Sequence, residues 1–347
     1  MRLEPIANPS LLRQVGYPLA ALLAAVVVAS GLAGLAGAEP LGVLGLIVTG
    51  AVGSKFALLE TLNRATPLIF CGLSVAVAFR ARLWNIGAEA QFYAGAVVAV
   101  LLGTGAIGAP FVLSVSAVMA MLAGALVLLG PVLLKTRLGV DEVVTTLLLN
   151  FIMLLLVSYL LEGPMKDPAG MGWPKSAPLV AEARLPRLVT GLRLHWGFAL
   201  ALIAAGVVWV VQTRTTLGFE MRAVGQNATA ARFAGMPVTA VLVKTALLSG
   251  GLAALGGWSE VAGLKGHLSL DLSPGFGYTG IIVAMLAMLR PLAVVPAAIF
   301  VAGVFVGSDS MSRAAGVPTY IADMLLAVAL LFMVLGVAIS KLRMVRG

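Results

Sequence analysis

The chain has 347 residues, 61% of them hydrophobic and 11% charged, with 40 glycines. A soluble domain carries about 25% charged residues, so a soluble fold is excluded. The net charge of +9 does not point to nucleic acid, because the basic residues are scattered between apolar runs; a bias of Lys and Arg toward cytoplasmic segments accounts for it.

A transmembrane helix needs roughly 20 mostly apolar residues. Taken in chain order, such runs predict spans at roughly 17–36, 56–79, 86–106, 110–134, 142–161, 196–211, 239–262, 277–289, 291–307 and 319–340, the eighth of them short. The first, from Tyr17 to about Ala36, is too long for a signal-peptide core and lacks a cleavage site, so it reads as a retained helix. The apolar stretch 41–53 is too short to span and reads as interfacial or re-entrant. The fold class expected is all-α: one polytopic membrane domain over 1–347 with about ten (8–10) transmembrane helices, some interrupted. With the N-terminus inside, the inner segments collect the larger share of Lys and Arg, among them Arg80, Lys135, Arg137, Arg214, Arg222, Arg232 and Arg290. Both termini are then cytoplasmic. A break within the membrane near Arg80 would lower the span count. Cys71, the only cysteine, lies in an apolar run and reads as a small packing residue.

Two connections stand out. The outer one, 162–195, carries Pro164, Pro168, Pro174, Pro178 and Pro186, a density that forbids a continuous helix. It reads as an ordinary external loop or as a docking surface for a soluble partner. The inner one, 212–238, contains Asn227 as a helix N-cap, Arg232 in a last turn, Gly235 at the C-terminal stop and Pro237 beyond. A helix this short is not stable alone. It must pack on its own bundle or in a groove of another protein. The small residues of Gly303 and Gly307, Ser249 to Gly251, and Gly256 and Gly257 allow close helix approach in lipid.

No catalytic constellation is present. His195 and His267 are far apart and read as surface or interface residues, no Cys/His cluster exists, and no Gly-Lys-Ser/Thr loop could cradle a phosphate. No cofactor, no metal and no enzyme activity are expected; if ATP is used, another chain must bind it. What remains is a set of polar residues in or near spans: Trp84, Asn85, Glu89 and Gln91; Asp141, Glu142, Thr145, Thr146 and Asn150; Trp258, Ser259 and Glu260; Asp271, Ser273 and Tyr278; and Asp323. A carboxylate in a bilayer core costs on the order of 3 kcal/mol on insertion scales, so it is functional or firmly paired. Asn85 and Glu89, and likewise Thr146 and Asn150, are spaced to share a helix face. Glu89 either lines a path or is a structural carboxylate paired with Arg80, Arg82 or a backbone N–H; Asn150 either lines the path or makes an interhelical hydrogen bond. Asp141 and Glu142 read as a helix start, where negative charge is favoured. Gly87 and Gly277 each lie beside a polar break before an Ala/Gly-rich helix, one in each half of the chain. Paired interrupted helices point to a substrate site in transporters.

Four ordered motifs carry a resemblance. LNRATPLIFCGLSVAVAFRARLWNIGAEAQFYAGA, GVDEVVTTLLLNFIMLLLVSYLLEGP, RAVGQNATAARFAGMPV and GFGYTGIIVAMLAMLRPLAVVPAAIFVAG together resemble the membrane-spanning permease subunits of bacterial ABC importers for nucleosides and simple sugars, the branched-chain amino acid-like permease family. The resemblance runs from about 55 to 340. It implies a translocation pathway for a nucleoside or related simple sugar, in the bacterial inner membrane. It implies a second permease subunit, as a heterodimer or homodimer, a cytoplasmic ABC ATPase that hydrolyses ATP, and a periplasmic or lipoprotein substrate-binding protein. Asn85, Glu89, Gln91 and Asn150 match the pathway signature, and Tyr278 joins them as a candidate. The segment Asn227 to Gly235, with Ala230, Ala231 and Arg232, matches the ATPase coupling helix. Trp84 stands where the family often has Phe, and Ala90 where it has Gly. The alternative is an ion-coupled secondary carrier driven through Glu89, Glu260 or Asp323.

Overall fold

A computed structural model describes residues 2–5, 40–105, 111–189, 191–316 and 342–345, with scattered helical positions at 24, 28, 31 and between 324 and 339. The predicted spans 17–36 and 319–340 therefore lie largely outside the described residues, as does Asp323.

The described residues are mostly helical: α1 (Pro40–Val52), α2 (Lys55–Arg80), α3 (Ala88–Gly103), α4 (Val112–Leu138), α5 (Glu142–Glu162), α6 (Gly197–Arg214), α7 (Thr216–Gln226), α8 (Ala228–Phe233), α9 (Val238–Glu260), α10 (Phe276–Leu286) and α11 (Pro291–Ala315). Among them, 6 are long and apolar enough to cross a membrane: α2, α4, α5, α6, α9 with a wide turn over Val261–Lys265, and α11. The predicted spans 86–106 and 277–289 become the shorter apolar helices α3 and α10. The first is trimmed at both ends, to Ala88–Gly103, and the second only at its end, to Phe276–Leu286. The stretch 41–53 is the 13-residue helix α1. One small departure from an all-helical chain is an antiparallel strand pair, β1 (Arg2–Pro5) with β2 (Leu342–Val345).

The chain divides into two compact units, one of residues 1–61 and 300–347, the other of 62–299. Within the first, Gly307 and Gly50 of the two helices α11 and α1 leave room for Ile47 and Ser310, and Gly303 faces Ala51 and Thr61. The Gly303/Gly307 pair is thus used inside the chain, as small residues at helix crossings in lipid usually are.

The second unit is centred on α3, α4 and α9, each packed on the other two. Glycine makes that possible. Gly124 of α4 and Gly250 of α9 meet backbone to backbone, Gly95 of α3 lies on Ala254, and Gly257 lies on Phe92. A side chain at any of these would push two helices apart. Alongside, α2 and α10 run in the same direction: Arg64 sits over the Phe276 ring, Gly280 packs on Cys71, and Gly72 packs on Val283. Cys71 is buried and free, the packing role its apolar surroundings predict. The apolar stretch of α2 is 89% buried, whereas that of α5 is 22% buried, so α5 turns most of its apolar surface outward.

Among its described residues, the proline-rich connection 163–196 holds only a short 3-10 turn, Ala181–Ala183. It folds back on the unit through backbone bonds: Ser176 N–H to Leu268 O (2.9 Å), Leu179 N–H to Gly266 O (2.8 Å), Val180 N–H to Gly103 O (2.9 Å) and Leu185 N–H to Ala262 O (2.8 Å). His195, expected at a surface or interface, is instead fully buried. Its ring fills the space beside Gly197 and Gly263, and its Nδ1 accepts the Gly197 N–H at 3.1 Å. Burial disfavours the charged imidazolium and lowers the pKa of His195 to about 4.

Candidate functional site

Helix α2 ends at Arg80, and the chain turns sharply, with Arg82 at φ +51°. Residues 81–87 then run without helix until α3 begins at Ala88. This break leaves backbone polar groups to be satisfied by side chains, and the signature residues do so. Asn85 lies in the break, not on the helix, so it does not share a face with Glu89 as the spacing predicts. It pairs with Gln91: each side-chain amide donates to the other's oxygen, both at 2.9 Å. Asn85 Oδ1 also accepts the Gly87 N–H (3.1 Å), and its Nδ2 donates to Ser249 Oγ of α9 (3.1 Å). Ser249 in turn donates to Ser74 O of α2 (2.8 Å). The break is thereby tied to two packed helices.

Helix α5 holds the other side. Asp141 caps its N-terminus, accepting the Val143 N–H at 2.7 Å, the helix-start role its charge predicts. Glu142 pairs with Lys135 of α4 and accepts the Trp84 N–H (3.3 Å). One turn on, Thr146 Oγ1 accepts the Ile86 N–H (3.3 Å). A further turn on, Asn150 Oδ1 accepts the Ala90 N–H (2.9 Å) while its Nδ2 donates to Ile86 O (3.0 Å) and to the Tyr278 hydroxyl (2.9 Å). The i, i+4 spacing of Thr146 and Asn150 does give one face, and that face grips the break.

Glu89 reaches the second interrupted helix. Its Oε2 accepts the Gly277 N–H at 2.6 Å, in the first turn of α10, where unpaired N–H groups favour an anion. Gly277 is needed at that contact, because a Cβ there would run into the Glu89 backbone. Through Glu89 and Gly277, 188 residues apart, the two glycine-bearing breaks are one joint. Asn85, Gln91 and Asn150 are wholly buried and Glu89 nearly so, while Tyr278 keeps 38% of its surface exposed. Ser74, Ser249 and Lys135 belong to the same arrangement and were missed. Ser249 sits in a Ser-Gly-Gly cluster that reads as close packing, and Ser74 in an apolar run without periodic signal.

Of the remaining polar groups, Ser273 stays at the joint, where its side chain hydrogen-bonds that of Glu89, and the others go elsewhere. Trp258 Nε1 donates to Ser116 Oγ (2.9 Å), and Ser259 Oγ to Gly256 O (2.9 Å). Ser273 Oγ caps α10 by accepting the Phe276 N–H (2.8 Å). Asp271 is exposed; a hydrogen bond with the Ser269 side chain holds its carboxyl below the usual range. Among the described residues no group of three His, Cys, Asp or Glu is placed to hold a metal.

The second candidate region is α8 with its caps. Asn227 Oδ1 accepts the N–H groups of Thr229 and Ala230, both at 3.0 Å. Gly235, at φ +80°, reverses the chain so that the Met236 N–H returns to Ala231 O (3.0 Å). Helix, cap and stop lie where the sequence predicts them. Ala230, Arg232, Gly235 and Asn227 are exposed, whereas Ala231 is buried on its own chain at 5% exposure. Phe233, missed in the sequence, is 90% exposed. An open groove of about 530 Å³ lies beside α8, lined by Arg232, Met236, Val238 and Val243 among others.

The family described as the permease component of branched-chain amino acid transport systems matches residues 57–335. The chain belongs to this family. It is 35% identical over 346 residues to the glucose ABC transporter permease of Haloferax volcanii, covering 96% of this chain and 90% of that protein. It is 34% identical over 293 residues to the guanosine ABC transporter permease of Bacillus subtilis, covering 84% of each. It is 30% identical to the nucleoside ABC transporter permease of Lactococcus lactis, covering 81% of this chain and 80% of that one. No solved structure matches. The permease is a multi-pass membrane protein.

Proposed function

We propose that the permease forms the translocation pathway of a binding-protein-dependent ABC importer for a nucleoside or a related simple sugar, with residues 1–347 as one permease domain in the bacterial inner membrane and both termini in the cytoplasm. The observation that carries this reading is α8. A helix of 6 residues is far below the length at which helices persist alone, yet only Ala231 is buried. Its exposed side offers Phe233 and Arg232 to a partner, and a cytoplasmic ATPase is the partner that a permease of this family requires. ATP hydrolysis belongs to that subunit. A second permease completes the passage, and a periplasmic or lipoprotein binding protein delivers the solute to the 162–195 side.

Asn85, Glu89, Gln91 and Asn150 build the wall of the path rather than its lining, since their polar atoms are spent on one another and on the backbone. Tyr278, bonded to Asn150 and part exposed, is the member of the group that faces the solute. The substrate class rests on relatives named for guanosine, nucleosides and glucose. An ion-coupled carrier is disfavoured by the family and by Glu89, whose carboxylate is occupied by the Gly277 N–H.

The test is uptake in proteoliposomes holding the chain with its co-expressed ATPase, second permease and binding protein. ATP-dependent uptake of a nucleoside, pentose or hexose is expected. Uptake by the chain alone, driven by a proton gradient without ATP, would overturn the reading.

A further inference from the structure

At one end of the second unit three arginines converge from three separate stretches of chain. Arg80 is the last residue of α2. Arg222 lies on α7, and α7 is held against that end because Gly225 packs on the Arg80 carbonyl. Arg290 follows α10, which runs beside α2 in the same direction through the Gly280–Cys71 and Gly72–Val283 contacts, and so arrives at the same end. The chain turns there through Met288 and Leu289, at φ +50° and +58°. The three are close enough for their charges to repel.

No carboxylate among the described residues pairs with any of the three, in contrast to Lys135, which has Glu142. Arg222 donates to the Gln212 carbonyl. Two buried donors nearby, Arg80 Nε and the Gln212 side-chain Nε2, have no acceptor. A cluster made of donors is complementary to an anion with several oxygens, and guanidinium groups match phosphate oxygens in a planar, two-point fashion.

The surroundings choose the source of that phosphate. Arg80 ends a spanning helix, the depth at which phospholipid headgroups lie. Exposed apolar side chains flank each arginine in sequence: Trp84 after Arg80, Phe219 before Arg222, Met285 and Leu292 around Arg290. Trp84 stands edge-on to Phe79, ring centroids 4.7 Å apart, as an amphipathic ring at a membrane interface would. Basic pockets between spanning helices bind anionic headgroups in this way. We propose that Arg80, Arg222 and Arg290 hold the phosphate of an anionic phospholipid, with its acyl chains against Trp84, Phe219 and Leu292. The leaflet, the cytoplasmic one, rests on the orientation proposed above; the site itself does not.

The experiment is native mass spectrometry of the full-length permease in mild detergent, titrated with phosphatidylglycerol or with phosphatidylcholine of the same acyl chains, and separately with inorganic phosphate. Phosphatidylglycerol is expected to bind tightly and phosphatidylcholine at least tenfold more weakly. Arg222→Gln with Arg290→Gln should cost tenfold or more in phosphatidylglycerol affinity, while Arg137→Gln, an exposed basic residue at the end of α4, should cost nothing. Arg290→Gln alone, at an exposed position, keeps the test open if the double variant fails to fold. Equal binding of the two lipids, unchanged binding by the arginine variants, or inorganic phosphate displacing the lipid at millimolar concentration would overturn the proposal. Neither ATP nor solute enters the assay, so its failure leaves the importer reading intact, and failed uptake leaves this one intact.

Discussion

The joint between α3 and α10 and the short helix α8 are both interruptions of an apolar chain, and they are finished in opposite ways. At the joint backbone groups freed by the breaks are met by side chains of the same subunit: Asn150 meets Ala90 and Ile86, Asn85 meets Gly87, Glu89 meets Gly277. At α8 the chain satisfies only its own caps and leaves the helix surface in solvent. In lipid an unsatisfied backbone group costs several kcal/mol, so a break within the bundle has to close on itself. A helix beyond the bundle carries no such penalty, and its open surface suits a partner. The difference separates residues that hold the permease together from residues that connect it to something else.

The strongest way to break this comparison is Gly277→Ala. A Cβ at 277 has to displace the Glu89 backbone, which no rotamer change relieves, and the N–H to carboxylate bond would be lost with it. Folded yield by size-exclusion profile is expected to fall to near zero. A monodisperse variant with normal stability would mean that the joint is loose and that its glycine is incidental.

Next comes Asn150→Ala. It removes three hydrogen bonds and leaves the Ala90 N–H and Ile86 carbonyl without their partner. Stranded buried groups cost about 1–3 kcal/mol each, so a loss of roughly 4 kcal/mol is expected as a large drop in thermal midpoint in detergent. Tyr278→Phe removes only one of those bonds and should leave the midpoint nearly unchanged while altering uptake, if Tyr278 faces the solute. A stability loss in Tyr278→Phe equal to that in Asn150→Ala would place the tyrosine among the structural groups instead.

A pH test asks whether a third region, the folded connection 163–196, closes on itself like the joint. His195 is buried and its pKa is lowered to about 4, against roughly 6.5 in an unfolded chain. The unfolded state therefore binds the proton first as pH falls. His195 contributes its full stability above about pH 6.5 and loses it progressively as pH drops through the interval down to about 4, by roughly 3 kcal/mol in all. Thermal midpoints measured across that range should decline in the wild type and decline less in His195→Gln. Equal slopes would mean that the imidazole is reached by water and the connection is open.

The sequence made parts of both regions legible, for different reasons. α8 is local: an N-cap, an arginine near the end and a glycine stop are encoded within nine positions, and the structure has all three. The identity of the polar residues at the joint was legible too, because polar groups are rare and costly in such a chain. Their partners were not. Asn85 was expected on a helix face with Glu89, but the helix starts three residues later, at Ala88, and start sites are poorly marked where glycine and alanine abound. Ser249 read only as a small packing residue and Ser74 gave no signal, because a serine in an apolar helix can bond to its own backbone. His195 was misjudged because a place near an external loop says nothing about what covers that loop. Glycines at 250 and 257 were readable as small, but which helices they join is a tertiary fact.

Phe233→Asp sharpens the other side of the comparison. Phe233 is 90% exposed, so the substitution should leave the thermal midpoint of the isolated permease within about 0.5 kcal/mol of wild type. ATP-driven uptake is expected to fall about tenfold, the equivalent of roughly 1.4 kcal/mol of coupling. Ala231 is buried on its own chain, so a bulky residue there would disturb the permease before it disturbed any partner. Full uptake by Phe233→Asp would mean that α8 is an ordinary exposed turn.

The smallest effect is expected from Gly235→Ala, the counterpart of Gly277→Ala. No atom lies within 4 Å of a Cβ at 235, so space is not at issue. Only the backbone objects: at φ +80° a non-glycine residue is strained by about 1 kcal/mol. Because α8 is pinned by Ala231 alone, that strain should unravel its last turn rather than lower the stability of the whole molecule. Hydrogen exchange at Met236, whose N–H returns to Ala231 O, should quicken about fivefold while the global thermal midpoint stays put. Adding the partner that binds α8 should restore the slower exchange, since a bound helix end has to be ordered. If the midpoint falls instead, α8 is coupled to the bundle as tightly as the joint is, and the distinction between the two regions fails. One methyl group at two glycines thus separates a site limited by contact from a site limited by conformation.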